Sequence, residues 1–200
     1  MSRIKLSRLF FREIYTERRV CSLYFDTEDL KLYRMAAEGI SERMKVRLRW
    51  YPGSGNRGCF LEFKYKKGFE GRKEVFEMPF PGFSEEDPGS SNFAKIFRDS
   101  LPEGAAVCMK SLRPVLLSVY DRRYFLASDK KVRLTFDYGL YWRKFRNKSL
   151  GLPVHSLSGL KVIELKYPSG HTFNHEKAGE AFPVRAGKVS KYAAGIETAV

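Results

Sequence analysis

Three cations alternate with apolar residues in MKVRLRW, residues 44–50. Lys45, Arg47 and Arg49 would project from one face of a β-strand, because successive side chains of a strand point to opposite sides. For a single strand, simple exposure explains the pattern, since a half-buried strand carries charged residues on its wet face. A binding role becomes the better explanation only if other strands repeat the pattern.

Other predicted strands do repeat it. Their polar faces carry Glu62, Lys64 and Lys66 in 59–67; Tyr120, Arg122 and Tyr124 in 115–125; Lys131, Arg133, Thr135 and Asp137 in 130–137; and Glu164 and Lys166 in 161–167. Like charges opposite each other destabilise a sheet, so a face that collects cations with few carboxylates favours an anionic ligand. Arginine suits phosphate because it donates two parallel hydrogen bonds to it. The few carboxylates then become candidate ligands for Mg²⁺ or Mn²⁺, or charge partners of the cations.

The composition points to the same class of partner. Lys and Arg number 37 against 23 Asp and Glu, a net charge of +14. This excess favours nucleic acid, nucleotide, polyphosphate or an anionic membrane as the partner. The aromatic residues Phe63, Tyr65 and Phe136 fall on the face opposite the cations, which argues against binding nucleic acid by base stacking. No apolar run is long enough to span a bilayer.

Several other kinds of site find no support in the sequence. Cys21, Cys59 and Cys108 are far apart and form no CxxC motif, so we predict neither a disulfide framework nor a zinc cluster. The same cysteine usage predicts a cytoplasmic location. No secretion signal precedes the first predicted strand. His171 and His175 are four residues apart without helical periodicity, so we interpret them as loop histidines. No GKS or GKT phosphate loop and no Ser–His–Asp or Cys–His centre is present.

The periodicity predicts an α+β domain over residues 1–200. Strands are expected at 21–26, 44–51, 59–67, 72–80, 114–127, 130–143 and 161–167, and helices at 28–38 and 92–101. Residues 5–15 are ambiguous and fit the end of a helix, and the last residues fit a short helix or turn. If these mostly antiparallel strands close into a barrel with the cationic faces inward, the result is a charged tunnel, and helices or a partner subunit must cover the apolar faces. Asp26 and Asp137 end predicted strands, where Asp often forms a turn.

A series of blocks, taken together, resembles one family. The blocks are SLYFDTEDLKLY, GISERMKVRLRWY, LEFKYKKG with GRKE, YDRRYF, VRLTFD, IELKYP and VSKYAAG, from about Tyr15 to about Gly195. In this order they are similar to the VTC domain, the polyphosphate polymerase branch of the triphosphate tunnel metalloenzymes within the CYTH-like superfamily. The resemblance implies a closed, mostly antiparallel β-tunnel with flanking helices, here as a stand-alone bacterial form. It also implies transfer of the γ-phosphate of ATP onto a growing polyphosphate chain, with Mn²⁺ or Mg²⁺ as cofactor.

The resemblance also implies roles for particular residues. Those matching phosphate-binding or catalytic positions are Lys45, Arg47, Arg49, Lys64, Lys73, Arg122, Arg133, Lys166, Ser190 and Lys191, and Glu164 matches the metal-binding glutamate. Arg47, Arg49, Ser190 and Lys191 are the matches expected to contact the nucleotide phosphates. Glu62 has no assigned role, and Tyr120 and Tyr124 are interpreted as packing residues rather than adenine-stacking ones.

One departure from the family and two alternative functions remain open. The family has a strand with a tunnel-facing basic residue before its first helix, whereas this chain begins about where that helix ends, and Arg3 and Lys5 do not match clearly. Either the start of the chain is truncated or misassigned, or the tunnel is expected to be short of one wall, which would leave sheet edges open. The same tunnel could instead hydrolyse triphosphate, or it could bind polyphosphate or pyrophosphate without turnover. Oligomeric state and chain length of the product do not follow from the sequence.

Overall fold

A single antiparallel sheet forms the framework of the domain. The computed structural model describes residues 4, 9–53, 58–79, 83–147, 149–156, 159–168, 182, 187 and 189–199; His171 and His175 lie outside them. The strands are β1 (Arg12–Asp26), β2 (Glu42–Trp50), β3 (Cys59–Lys67), β4 (Glu70–Met78), β5 (Arg113–Leu126), β6 (Arg133–Arg146), β7 (Ser149–Leu150), β8 (Val154–His155) and β9 (Val162–Lys166). The helices are α1 (Lys31–Ala37), α2 (Ser91–Asp99), α3 (Glu103–Met109) and α4 (Lys191–Ala199), with a 3₁₀ turn at Asp87–Gly89.

The strand order is β4-β3-β2-β1-β5-β6, and β7, β8 and β9 pair in turn with the outer edge of β6. Every described pairing is antiparallel. The mixed α+β class and the antiparallel sheet are confirmed. The closed barrel is wrong for the described part of the chain, because no pairing there joins β4 to β9 and both remain edge strands.

The first strand is much longer than predicted. β1 begins at Arg12, where the sequence suggested the end of a helix, and runs 15 residues. Its second half, Cys21–Phe25, pairs with both β2 and β5, whereas its first half pairs only with β5. A half-strand with one neighbour is less buried and tolerates charged residues, so its sequence lacks the apolar alternation that identifies strands.

The apolar face of the sheet is covered by helices, as expected. Phe93 and Phe97 of α2 and Met109 of α3 pack on the side chains of β1 to β3 such as Leu23 and Phe63. Helix α2 begins where the Ser90 hydroxyl accepts a hydrogen bond from the Phe93 amide. Helix α3 was not predicted. Because these helices cover the apolar side of the sheet, the polar faces of the strands lie on the opposite side.

An irregularity in β6 keeps distant polar residues on one side of the sheet. Five residues separate Asp137 from Trp142, so a regular strand would put them on opposite faces. Between them the register with β5 shifts, and Gly139 adopts a φ of 62°, which favours glycine. Asp137 and Trp142 therefore both face the side opposite α2 and α3.

Candidate functional site

The strand register brings the predicted cations to one surface. Across the sheet, Lys73 of β4 lies opposite Lys64 of β3, which lies opposite Lys45 of β2. Arg122 of β5 and Arg133 of β6 are carried on the same side, and Lys166 of β9 lies opposite Arg133. We call this surface the basic face; its residues are Lys45, Arg47, Arg49, Glu62, Lys64, Lys73, Arg122, Arg133, Asp137, Glu164 and Lys166, together with Ser190 and Lys191 at the start of α4. The predicted shared cationic face is thus confirmed as a feature of the fold.

Glu62 is the centre of a first ion cluster on this face. Its Oε2 accepts a hydrogen bond from Arg47 Nε at 2.6 Å, and its Oε1 lies 2.7 Å from Lys73 Nζ. The carboxylate is only 8% exposed, whereas the Arg47 and Lys73 side chains are 27% and 49% exposed. Burial acts to raise the pKa of Glu62, but Arg47, Arg49 and Lys73 outweigh it and lower that pKa to about 2. Glu62 is therefore ionised at neutral pH and orients two cations that still reach solvent. It is a charge partner of these cations, which is one of the two roles predicted for the carboxylates.

Lys45 and Arg49 are positioned by hydroxyl groups rather than by carboxylates. The Lys45 ammonium donates to Ser190 Oγ at 2.9 Å, and Arg49 Nη2 lies 3.3 Å from the Tyr120 hydroxyl. Burial lowers the pKa of Lys45, and nearby cations act in the same direction. A hydroxyl fixes the direction of a cation without neutralising its charge, so these two groups keep their attraction for an anion.

Asp137 is the centre of a second ion cluster. Its two oxygens accept from Arg122 Nε and Nη2 at 2.6 and 2.8 Å, and Lys191 Nζ lies 2.6 Å from Oδ2. The Asp137 side chain is 0% exposed. Burial opposes ionisation, but the two cations outweigh it and keep the pKa of Asp137 below its ordinary value. Asp137 continues a strand instead of ending one in a turn, and it holds two predicted phosphate-binding residues in place.

Helix α4 closes against the sheet at the basic face. Trp142 Nε1 donates to the Lys191 carbonyl at 3.0 Å, and a Cβ atom on Gly195 would clash with the Trp142 ring. The Tyr192 hydroxyl donates to Asp26 Oδ2, whose carboxylate also accepts from the Leu32 and Tyr33 amides of α1. Asp26 thus joins β1, α1 and α4. This docking is what places Ser190 beside Lys45, which is 145 residues away in sequence.

Glu164 lies towards the other end of the face, opposite Thr135 of β6. Its side chain is 46% exposed, and it forms an ion pair with Lys166 at 3.5 Å. No group of three or more His, Cys, Asp or Glu side chains that could hold a metal is found among the described residues. Mg²⁺ in phosphate-binding sites commonly takes only one or two carboxylates, with phosphate oxygens completing its shell. One accessible carboxylate among cations that are predicted to bind phosphate fits that kind of site.

The sequence did not reveal the role of Asp137 and did not indicate Arg18. Asp137 was placed on the polar face of its strand but interpreted as a turn residue at the strand end, and its ion pairs with Arg122 and Lys191 show its role. Arg18 lies opposite Arg122 on the basic face. The alternation Arg18, Val20, Ser22, Tyr24 could have identified it, had the strand been extended upstream of Cys21. Tyr120 is 1% exposed, in agreement with the predicted packing role.

Comparison with known proteins identifies sequence relatives and weak structural neighbours. The family model of the VTC domain matches residues 5–200. Subunit 4 of the vacuolar transporter chaperone complex of Schizosaccharomyces pombe is 29% identical over 145 residues, covering 60% of this chain. The match covers 20% of that relative, so the chain spans about a fifth of its length.

Two solved structures are similar at low identity. A candidate adenylate cyclase from Vibrio parahaemolyticus has a TM-score of 0.40 and 11% identity, over 68% of this chain and 59% of that one. A protein from Pyrococcus horikoshii has a TM-score of 0.45 and 14% identity, over 90% and 77% of the two chains. Likenesses this weak carry no argument about function. Among the described residues, no helix is both long and apolar enough to cross a bilayer.

Proposed function

The chain belongs to the VTC domain family, and from that premise we propose that it transfers the γ-phosphate of ATP to a growing chain of inorganic polyphosphate. The observation that carries the proposal is the basic face, where the predicted phosphate-binding cations of β2 to β6, β9 and α4 lie on one surface. Glu62 and Asp137, its two buried carboxylates, are both engaged by cations. A surface with this excess of fixed positive charge has the character that a polyphosphate ligand requires.

Phosphoryl transfer depends mainly on positioning and on charge stabilisation. A terminal phosphate oxygen of the polyphosphate chain would attack the γ-phosphorus in line, and the bond to the β,γ-bridging oxygen would break to release ADP. The attacking oxygen is already ionised, so no protein base is needed. The cations of the basic face would supply the positioning and the charge stabilisation.

The cations have different tasks in this mechanism. Arg47 and Lys73, fixed by Glu62, and Lys45 and Arg49, fixed by hydroxyl groups, would bind the nucleotide phosphates before the reaction. Because these donors are already oriented, they stabilise charge in the transition state without further reorganisation. Glu164 would hold Mn²⁺ or Mg²⁺ together with phosphate oxygens, and the bound cation would supply positive charge to those oxygens.

The proposal is tested by incubating the purified chain with ATP and Mn²⁺ or Mg²⁺, with and without EDTA. We expect a metal-dependent ladder of polyphosphate on a stained gel, with ADP released in step. Free phosphate without a ladder would indicate a triphosphatase instead. No turnover, with polyphosphate still bound, would indicate a binding domain.

A substitution of Glu164 tests its proposed role as the metal ligand. Glu164→Gln should abolish metal-dependent turnover and largely preserve ATP binding, because the carboxylate is lost while the cations remain. Glu42→Gln is the matched control, since Glu42 also forms an exposed pair, with Lys67 at 3.0 Å. Full turnover by Glu164→Gln would exclude Glu164 as the metal ligand.

A further inference from the structure

Arg18 is a cation on the basic face with an unusual environment. It lies opposite Arg122, so two guanidinium groups share one cross-strand position. Asp137 neutralises Arg122, but no described carboxylate pairs with Arg18. Its Nε is buried and makes no hydrogen bond with any described residue. An unpaired buried donor is costly, so one that persists calls for a specific explanation.

Aromatic rings hold this guanidinium in place. Arg18 Cζ lies 4.7 Å from the centre of the Tyr15 ring and 5.4 Å from that of Tyr124, and the two rings meet edge to face. The register shift between Tyr15 and Arg18 is what lets residues three apart share one face. Ring contacts fix a cation without neutralising it, so Arg18 is preorganised and keeps its charge for an anion.

A second unpaired group lies on the far side of Tyr124. Thr135 of β6 is opposite Tyr124 of β5, and its buried Oγ1 also has no partner among the described residues. On its other side, Thr135 is opposite Glu164. Burial raises the pKa of Tyr124, so its phenol stays protonated and can donate a hydrogen bond at neutral pH. Tyr15, Tyr124, Thr135 and Glu164 therefore form one row across the sheet. Arg18 lies beside this row, opposite Arg122, and packs against the Tyr124 ring.

The distance between Arg18 and Thr135 limits the ligand. The two residues are carried by β1 and β6, which lie on either side of β5 and are about 10 Å apart by the usual spacing of strands. One phosphate group is too small to reach both, whereas consecutive units of a linear chain can. We propose that Arg18, Tyr124 and Thr135 form a subsite for several consecutive phosphate units of an inorganic polyphosphate chain. The chain would extend there from Arg122 towards Glu164; the inference rests on the proposed function for its ligand.

The test measures binding without turnover, by calorimetry in EDTA, with pyrophosphate and with linear polyphosphate of about fifteen units. Arg18→Gln should weaken polyphosphate binding about tenfold or more, as expected for a lost charge-assisted contact, and change pyrophosphate binding much less. Arg98→Gln is the matched control, because it removes the same charge from the exposed end of α2 on the other side of the sheet. Equal weakening of both ligands by Arg18→Gln would overturn the subsite, since Arg18 would then act only as general positive charge.

Thr135→Val separates a ligand contact from a structural role. Removing an unpaired buried hydroxyl should leave the thermal midpoint unchanged or higher, and it should weaken polyphosphate binding roughly threefold. Ser118→Ala is the control, because Ser118 Oγ is also buried and unpaired but its residue is 0% exposed. A lower midpoint with unchanged affinity in Thr135→Val would refute the assignment.

Arg18→Lys is the second variant, to be used if Arg18→Gln does not fold. It keeps the positive charge and loses the planar guanidinium donor, so polyphosphate affinity should again fall more than pyrophosphate affinity. If the proposed catalysis is wrong, neither the native chain nor any variant will turn over ATP, but the chain-length dependence of binding will remain. If only the subsite fails, turnover will persist with Arg18 and Thr135 replaced.

Discussion

The Glu62 and Asp137 clusters use the same chemistry in two different environments. Each of these two carboxylates is bound by one arginine and one lysine. Around Asp137 every partner is buried, with Arg122 and Lys191 only 10% and 13% exposed. Around Glu62 the cations are much more exposed, up to 49% for Lys73.

The difference in burial separates two tasks. Asp137 connects β5, β6 and α4, so its cluster holds the last helix on the sheet, and its buried cations offer little accessible surface to a ligand. Glu62 connects only the adjacent strands β2, β3 and β4, whose cations can turn towards an anion. We therefore expect Asp137 to determine mainly stability and Glu62 to determine mainly ligand affinity.

The largest expected effect is on stability, in Asp137→Asn. The substitution leaves Arg122 and Lys191 buried without a counter-charge, so the free energy of unfolding should fall by about 3–5 kcal/mol. Denaturant titration monitored by circular dichroism measures this. The control is Asp121→Asn, which breaks the more exposed pair with Arg19 and should cost less than about 1 kcal/mol. Similar losses in both variants would show that burial does not separate these ion pairs.

The second prediction concerns acid. The pKa of Glu62 is about 2 in the folded chain against an ordinary 4.5. A carboxylate with a lowered pKa contributes stability that is complete above its unfolded pKa and is lost as pH falls through the folded pKa. The free energy of unfolding of the native chain should therefore exceed that of Glu62→Gln by up to roughly 3 kcal/mol at pH 7. That difference should shrink as pH falls from about 4.5 to about 2.

Denaturant titrations of both proteins at several pH values between 2.5 and 7 measure this difference. The contributions of the other carboxylates largely cancel, because both proteins contain them. A difference that does not change with pH would mean that Glu62 contributes by packing rather than by charge. The pKa of Asp137 is also lowered, from an ordinary 3.8, so its contribution should be lost at lower pH, below that value.

The two clusters also differ in how much of them the sequence predicts. The face shared by Lys45, Arg47 and Arg49 follows from alternation along one strand, and the register confirmed it. The contact of Lys45 with Ser190 could not be predicted, because it depends on where α4 docks 145 residues later. Asp137 was interpreted as a turn residue, because its ion pairs with Arg122 and Lys191 depend on the irregularity at Gly139 and on the docking of α4, which no periodic pattern shows. Alternation therefore identifies residues that share the face of one strand. The ion pairs and hydrogen bonds between the strands and α4 depend on tertiary contacts and do not follow from it.

The smallest expected effect is on affinity, in Glu62→Gln. The carboxylate competes with phosphate for Arg47 and Lys73, and glutamine keeps an oxygen acceptor without the charge. Removing one negative charge from the centre of the cluster should tighten tripolyphosphate binding about threefold at low salt. Glu77→Gln is the matched control, because Glu77 is exposed on the same face of β4 and forms no ion pair with a described residue. Calorimetry in EDTA at two salt concentrations compares the variants, and weaker binding by Glu62→Gln would show that orientation of the cations matters more than the charge that Glu62 cancels.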